Sequence, residues 1–208
     1  MARIAVAGAT GRVGRHVVDV LRGGGHDVVA ISRSNGVDVI TGDGLAAALK
    51  GVETVIDVTT GPSPEQGPAT EFFTTAIRNL EEAGVQAGVQ KLVVVSIIGV
   101  DKSTAGYGAA KLAHERAALA GPIPARILRA AQFHELVEML MGWGRQGDVV
   151  YLPKMRTQIV EARTVAAFAT RLRDSVDLDT VRAELLGVVD SAVQPVHISM
   201  WTAGRRPE

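Results

Sequence analysis

Ala2-Arg3-Ile4-Ala5-Val6-Ala7-Gly8-Ala9-Thr10-Gly11-Arg12-Val13-Gly14 opens the chain and decides how the rest is read. Ala2 to Ala7 is short and nearly all apolar, the pattern of a strand buried on both faces. Three glycines at even spacing follow, and then an amphipathic stretch that stops at Gly23-Gly24-Gly25. Strand, tight turn and helix in that order begin a βαβ unit.

The same alternation continues. Asp27 to Ile31 reads as a second strand, and Val37–Ile40 as a weaker one before a short Ala-rich helix, Leu45–Lys50. Val52–Val58 is the next strand, and Gly61 to Pro68, rich in proline, is a loop. Ala69, Phe72, Phe73, Ala76, Ile77, Leu80 and Ala83 keep i, i+3, i+4 spacing, so a long helix lays one stripe on the sheet. Lys91–Ser96 predicts a central strand, Gly106–Ala120 a helix and Ala125–Leu128 a further strand. Beyond Ala130 the pattern weakens to a helix at Phe133–Trp143, a strand at Val149–Leu152 and a helix at Thr164–Leu172. Strand-like pieces follow at Leu185–Val189 and Val196–Met200. The whole predicts a doubly wound α/β fold with a mostly parallel sheet. It is expected to be a single domain over residues 1–208, with about 131–208 forming a small C-terminal substrate lobe.

Composition narrows the function classes. Among 208 residues, 47% are apolar, enough for one core. Lys plus Arg and Asp plus Glu are 22 each, so no net charge draws the chain to nucleic acid or an acidic membrane. Cysteine is absent, which excludes disulfides and thiolate chemistry. No apolar run approaches the roughly 20 residues of a membrane span, and Met1 leads into a strand without a signal-peptide pattern. The expectation is a cytoplasmic protein, monomer or homodimer, without nucleic-acid or membrane partners. No His or carboxylate group has metal-ligand spacing.

In a turn of this kind glycine lets the backbone double back, come close to a phosphate without a Cβ in the way, and pack helix on strand. The helix N-terminus then presents unpaired N–H groups to the anion. Gly8, Thr10, Gly11, Arg12, Val13 and Gly14 are therefore candidate pyrophosphate contacts; the plain alternative is a glycine turn with no ligand.

The spacing G-x-x-G-x-x-G resembles the short-chain dehydrogenase/reductase superfamily, and Gly8-Ala9-Thr10-Gly11 resembles its atypical, NmrA-like branch. The resemblance extends through Val39-Ile40-Thr41-Gly42-Asp43, Val93-Val94-Val95-Ser96, Gly99-Val100-Asp101, Tyr107-Gly108-Ala109-Ala110-Lys111 and Ile127-Leu128-Arg129. It implies an NAD(P)(H)-binding Rossmann sheet in a family of reductases, epimerases and redox-sensing regulators. It also implies that Asp43 lies near the adenine and that Thr59, past a strand end, lies over the cofactor.

NAD-binding units usually carry an acid about 20 residues past the glycines, on the ribose 2′-hydroxyl. Here the second strand runs on into Ser32-Arg33-Ser34, with no acid. A guanidinium can grip a 2′-phosphate that a carboxylate would repel, so NADP(H) is expected over NAD(H), with Arg33 as the reader and Arg12 assisting. The plain reading of Arg33 is an exposed surface cation.

Tyr107 and Lys111 stand four apart on a helix and so share a face, while Ser96 closes the preceding strand at the end where such sheets bind ligands. The resemblance implies that they are the Ser, Tyr and Lys of catalysis. A tyrosine needs a neighbouring cation to act as a base at neutral pH; Lys111 is expected to supply it and to hold the nicotinamide ribose. Ser96 would bond the substrate oxygen. The bland alternative is that Lys111 binds ribose and Tyr107 only packs. Asn79 has the right kind of helix for the family's asparagine, with nothing more to recommend it. His114 shares the helix face, two turns from Tyr107, and reads as a packed or interface histidine. Phe133, His134 and Trp143 are candidate pocket residues where the lobe begins, and Met139 and Met141 fit either a pocket wall or a core stripe. Arg145, Arg156, Arg163, Arg171 and Arg173 read as a solvated face. These features predict an NADP(H)-dependent oxidoreductase acting on a carbonyl or hydroxyl of a small molecule. The alternatives are an epimerase or dehydratase, or a non-catalytic dinucleotide sensor.

Overall fold

Alternating parity along two short strands sets up both cores. In the computed structural model, which describes residues 1–134, 137, 141–142, 144–151 and 159–174, β1 (Arg3–Ala7) turns Ile4 and Val6 to one side and Ala5 and Ala7 to the other. The other parallel strands are β2 (Asp27–Ile31), β3 (Thr54–Asp57), β4 (Lys91–Ile97) and β5 (Ala125–Ala130), ordered β2-β1-β3-β4-β5. α1 (Arg12–Gly23) and α5 (Ala162–Asp174) cover the face of Ile4, Val6, Ile56, Val93 and Val95. α2 (Leu45–Ala48), α3 (Gln66–Ala87) and α4 (Gly106–Ala120) cover the face of Ala5, Ala7, Val55, Leu92 and Val94. Helices on both faces of a parallel sheet are the doubly wound α/β architecture expected. A two-residue antiparallel pair, β6 (Arg145–Gln146) and β7 (Val149–Val150), lies apart from the main sheet.

Two expectations are corrected. Residues 37–40 form no strand. Asp38 accepts the N–H of Ile40 at 2.7 Å, and Gly42 donates back to the Asp38 carbonyl at 2.9 Å, closing a turn. The Asn79 side-chain amide donates to the carbonyls of Val39 and Ile40 at 2.9 and 2.8 Å, taking acceptors a ladder would need. Asn79 is thus tied to this loop. The loop predicted to run to Pro68 ends earlier, because α3 begins at Gln66; proline is tolerated in a first helical turn, where its missing N–H has no intrahelical partner. The predicted α3 stripe holds: Ala69, Phe73, Ala76, Ile77 and Leu80 are buried, with Phe72 and Ala83 half-buried. The pieces expected after residue 184 lie outside the described residues.

Candidate functional site

The glycine turn is built around its first and third glycines. Gly8 has φ +80°, and a Cβ there would stand 2.9 Å from the Val58 carbonyl and 3.0 Å from the Thr59 Cα. A Cβ on Gly14 would stand 2.0 Å from the Gly8 carbonyl, inside the turn itself. Gly11 differs. It is exposed, and a Cβ on it would stand 3.2 Å from the Gly8 oxygen, a tight approach but far milder than the one at Gly14. The space a side chain would take at Gly11 opens beside the N-terminus of α1, whose first-turn N–H groups suit an anion. Arg12 heads that helix, Thr10 is exposed, and Val13 is buried against the sheet.

Arg33 is exposed in a short 3-10 turn, Arg33–Asn35, immediately after β2. Asn35 donates to the Ala30 carbonyl at 3.1 Å, fastening this turn to the strand end. Asp43 is exposed and accepts the Thr41 hydroxyl at 2.8 Å.

Strand parity and two helices assemble the remainder. Asp57 ends β3 on the same face as Val55, and Ser96 lies on β4 in phase with Leu92 and Val94, so both side chains look toward α3 and α4. Asp57 pairs in register with Val94, and Thr59 and Ser96 each follow two residues further along their chains. Both of their hydroxyls are buried, and neither has a hydrogen-bond partner among the described residues. An orphaned buried hydroxyl is costly. Two at adjoining strand ends, beside a turn whose Gly8 packs on Thr59, fit a polar ligand lying across the carboxyl edge of the sheet. A dinucleotide meets that demand: phosphates at the turn and ribose or substrate oxygens at the hydroxyls.

α4 brings Tyr107, Lys111 and His114 along one face, against Phe73 of α3. The Phe73 ring meets Tyr107 edge-on at 5.7 Å, stacks on His114 at 4.8 Å, and lies 4.5 Å below the Lys111 ammonium. Burial pushes the Tyr107 phenol above its usual range, and a hydrogen bond with Thr60 works the other way. The expected Lys111–Tyr107 partnership is corrected in one respect. The ammonium donates instead to the Val95 carbonyl at 2.9 Å and meets His114 Nδ1 at 3.0 Å. Burial lowers Lys111 to about 8, against the pull of Asp57 and Glu115.

Sequence reasoning did not single out Asp57. Its Oδ2 meets His114 Nε2 at 2.9 Å, and its Oδ1 accepts the Thr59 N–H at 2.8 Å. Burial alone would raise this carboxyl, but the His114 bond, the nearby positive charge and the Thr59 N–H hold it below the ordinary value. The available signal was an acid inside the apolar run Thr54-Val55-Ile56-Asp57-Val58, where an unpaired charge does not belong. His114 is packed, as expected, and burial lowers its pKa. Glu115 is clamped by two-pronged contacts with Arg129 of β5, at 2.7 to 3.2 Å, and Arg129 also reaches Asp101 at 2.9 Å.

Of the candidate pocket residues, two are among the described residues. Phe133 bridges to Val160 and packs on the core over α1 and α5, His134 is exposed, and Trp143 and Met139 lie outside the described residues. Met141, Arg145, Arg163 and Arg171 are exposed, and Arg156 and the Arg173 side chain lie outside the description. No cluster of metal-ligating side chains occurs among the described residues, and no helix among them is long and apolar enough to cross a membrane.

Comparison with known proteins agrees with this layout. L-Arabinose 1-dehydrogenase (NAD(P)(+)) of Haloferax volcanii is 33% identical over 105 residues, 46% of this chain and 41% of that protein. The chain therefore spans less than half the length of this curated relative. Among solved structures, MoeE5 in complex with UDP-glucose and NAD is 26% identical, covering 84% of this chain and 72% of that one with a TM-score of 0.65. Citrobacter sp. triphenylmethane reductase complexed with NADP(H) shares the fold at 21% identity and a TM-score of 0.62, over 84% and 66% of the two chains. These neighbours share the expected doubly wound fold. The family model described as NAD(P)H-binding matches residues 8–121, more than half of the chain and the whole span from the glycine turn to the end of α4, and the protein belongs to that family.

Proposed function

We propose that the protein is an NADP(H)-dependent oxidoreductase that reduces a carbonyl, or oxidises a hydroxyl, of a small organic molecule. The observation that carries this reading is the pair of buried, unpartnered hydroxyls of Thr59 and Ser96 beside the glycine turn, with Tyr107 hydrogen-bonded to Thr60, the residue after Thr59. Backbone N–H groups after Gly11 hold the pyrophosphate, and the exposed Arg33 takes the 2′-phosphate. When bound, the nicotinamide supplies or accepts a hydride at the substrate carbon. Ser96 bonds the substrate oxygen. Tyr107, kept protonated by burial, has the form needed to donate a proton to that oxygen during reduction. Lys111 keeps one N–H, beyond its two recorded bonds, for the ribose hydroxyls. The dehydrogenase relative supports hydride transfer over epimerisation, and retention of Tyr107 favours an enzyme over a sensor, which needs no proton donor.

Purified protein should oxidise NADPH in the presence of at least one member of a panel of ketones, aldehydes and quinones, or reduce NADP+ with an aldose such as L-arabinose. Tight NADPH binding with no turnover across the panel would favour the sensor. No NADPH binding at all would sink the reading.

A further inference from the structure

Catalysis by Ser96, Tyr107 and Lys111 leaves two wholly buried polar side chains without a task, Asp57 and His114, each 0% exposed. We propose that Asp57 and His114 are positioning residues for Lys111, aiming its ammonium across the end of β4 and balancing its charge. This inference rests on the reading that Lys111 serves the cofactor ribose.

Hydrogen-bond direction dictates the protonation pattern. An ammonium can only donate, so His114 Nδ1, 3.0 Å from Lys111 Nζ, must accept. The ring proton then sits on Nε2 and is donated to Asp57 Oδ2 at 2.9 Å. The Thr59 N–H donates to Asp57 Oδ1. A continuous chain therefore runs from the Thr59 backbone through Asp57 and His114 to Lys111 and on to the Val95 carbonyl. Each end lies one residue or less from an unpartnered hydroxyl, that of Thr59 or of Ser96. A merely structural filling of this space would be apolar, since removing an ion pair from water costs more than apolar packing of the same volume. Phe73 already supplies such packing and closes the cluster from α3.

Among the described residues, the charged and titratable groups facing Lys111 are few. Asp57 comes from β3, His114 and Glu115 from its own helix, and β4 contributes the Val95 carbonyl. Glu115 is largely committed to Arg129 of β5. Tyr107 of the same helix contacts Phe73, as Lys111 does. Asp57 is thus the carboxylate whose removal should most change the ammonium. The same geometry makes His114 a one-way device. Protonation of Nδ1 would turn an N–H toward the ammonium and break the chain.

The test follows the Lys111 ionisation directly, in the full chain, by 13C NMR of Cε-labelled lysine, with Lys111→Met identifying the resonance. The wild-type midpoint is expected at about 8. Asp57→Asn, nearly isosteric, should lower it by about one pH unit, the smaller end of what an opposite charge at this range does. His114→Gln retains one acceptor and one donor and should stay much closer to wild type. In the unmodified protein, 15N shifts should show His114 neutral and protonated on Nε2 from pH 6 to 9. NADPH affinity, measured by calorimetry, should weaken as pH rises past the Lys111 midpoint, and should weaken at a lower pH in Asp57→Asn. An unmoved midpoint in Asp57→Asn, or a cationic or Nδ1-protonated His114, overturns the positioning role. A midpoint that moves while NADPH binding ignores it overturns the ribose reading of Lys111 instead.

Discussion

The two ends of the candidate cofactor groove are made differently. At the phosphate end, residues 8–14 are contiguous, largely backbone, and exposed at Thr10, Gly11 and Arg12. At the other end Asp57, Phe73, Ser96, Tyr107, Lys111 and His114 come from four elements, and most are buried. The first end works by leaving atoms out, so that a turn can close and an anion can approach. The second works by putting costly polar atoms where water cannot reach, and each must then find a partner. Damage to the first should therefore be steric and abrupt, and damage to the second electrostatic and dependent on pH.

The sharpest break separates two glycines of the same turn. Gly14→Val should cost stability outright, by more than 3 kcal/mol, since its Cβ would meet the Gly8 carbonyl at 2.0 Å in a rigid, overpacked place. Gly11→Val, whose Cβ would only crowd the Gly8 oxygen, should lower the urea midpoint far less while abolishing NADPH binding. Equal stability losses in the two would erase the distinction between fold-closing and ligand-facing glycines.

At the buried end, Tyr107→Phe should lower turnover ~10²–10⁴-fold, the usual worth of a positioned general acid. The ring contact with Phe73 survives, so thermal stability and NADPH affinity should hold. Unchanged stopped-flow hydride transfer in this variant would assign the proton to another group.

A smaller effect is expected at the adenosine side. Arg33→Ala should weaken NADPH by ~1.5–3 kcal/mol, the range for a hydrogen bond to a charged group, and leave NADH nearly untouched. Calorimetry giving equal losses for both cofactors would return Arg33 to the solvated surface.

The smallest effect tests burial away from the groove. Glu81 on α3 packs its carboxylate against Gly121, where a Cβ would stand 1.7 Å from Oε1, and that oxygen has no partner among the described residues. Burial raises its pKa to about 7. The folded state thus holds this proton more tightly than the unfolded chain does. Its contribution is full below the ordinary carboxylate range and is lost as pH climbs through about 7. Glu81→Gln should accordingly be neutral near pH 4 and stabilising at pH 8 by about 1 kcal/mol, the screened worth of a partly hydrated carboxylate, or 2–4 °C in Tm. A Tm difference that ignores pH would refute the carboxylate's role.

How much could be read beforehand follows the same division. The turn was legible because its residues are neighbours in sequence and the evenly spaced glycines follow a short apolar strand. The α3 stripe and the bounds of α4 were legible because burial repeats with the helical period. The weak strand at residues 37–40 misled because Val39 is buried like a strand residue, while Asn79, some 40 residues on, captures the carbonyls. Tyr107 and Lys111 were visible as a spaced pair, but the direction of the Lys111 ammonium was not, since it is set by Asp57, 54 residues upstream of it, through His114.

By itself, then, the sequence determined the order of elements, the parallel sheet and the place where a phosphate can lie, because these depend on short-range periodicity and on a backbone freedom only glycine has. Tertiary structure alone decided which polar side chains are buried together. Strand parity put Asp57 and Ser96 on the α3–α4 face, and helix packing carried His114 and Lys111 to them. A hydrogen bond between residues 57 apart leaves no periodic trace in a chain; it exists only because the unpaired alternative, in a dry interior, costs too much.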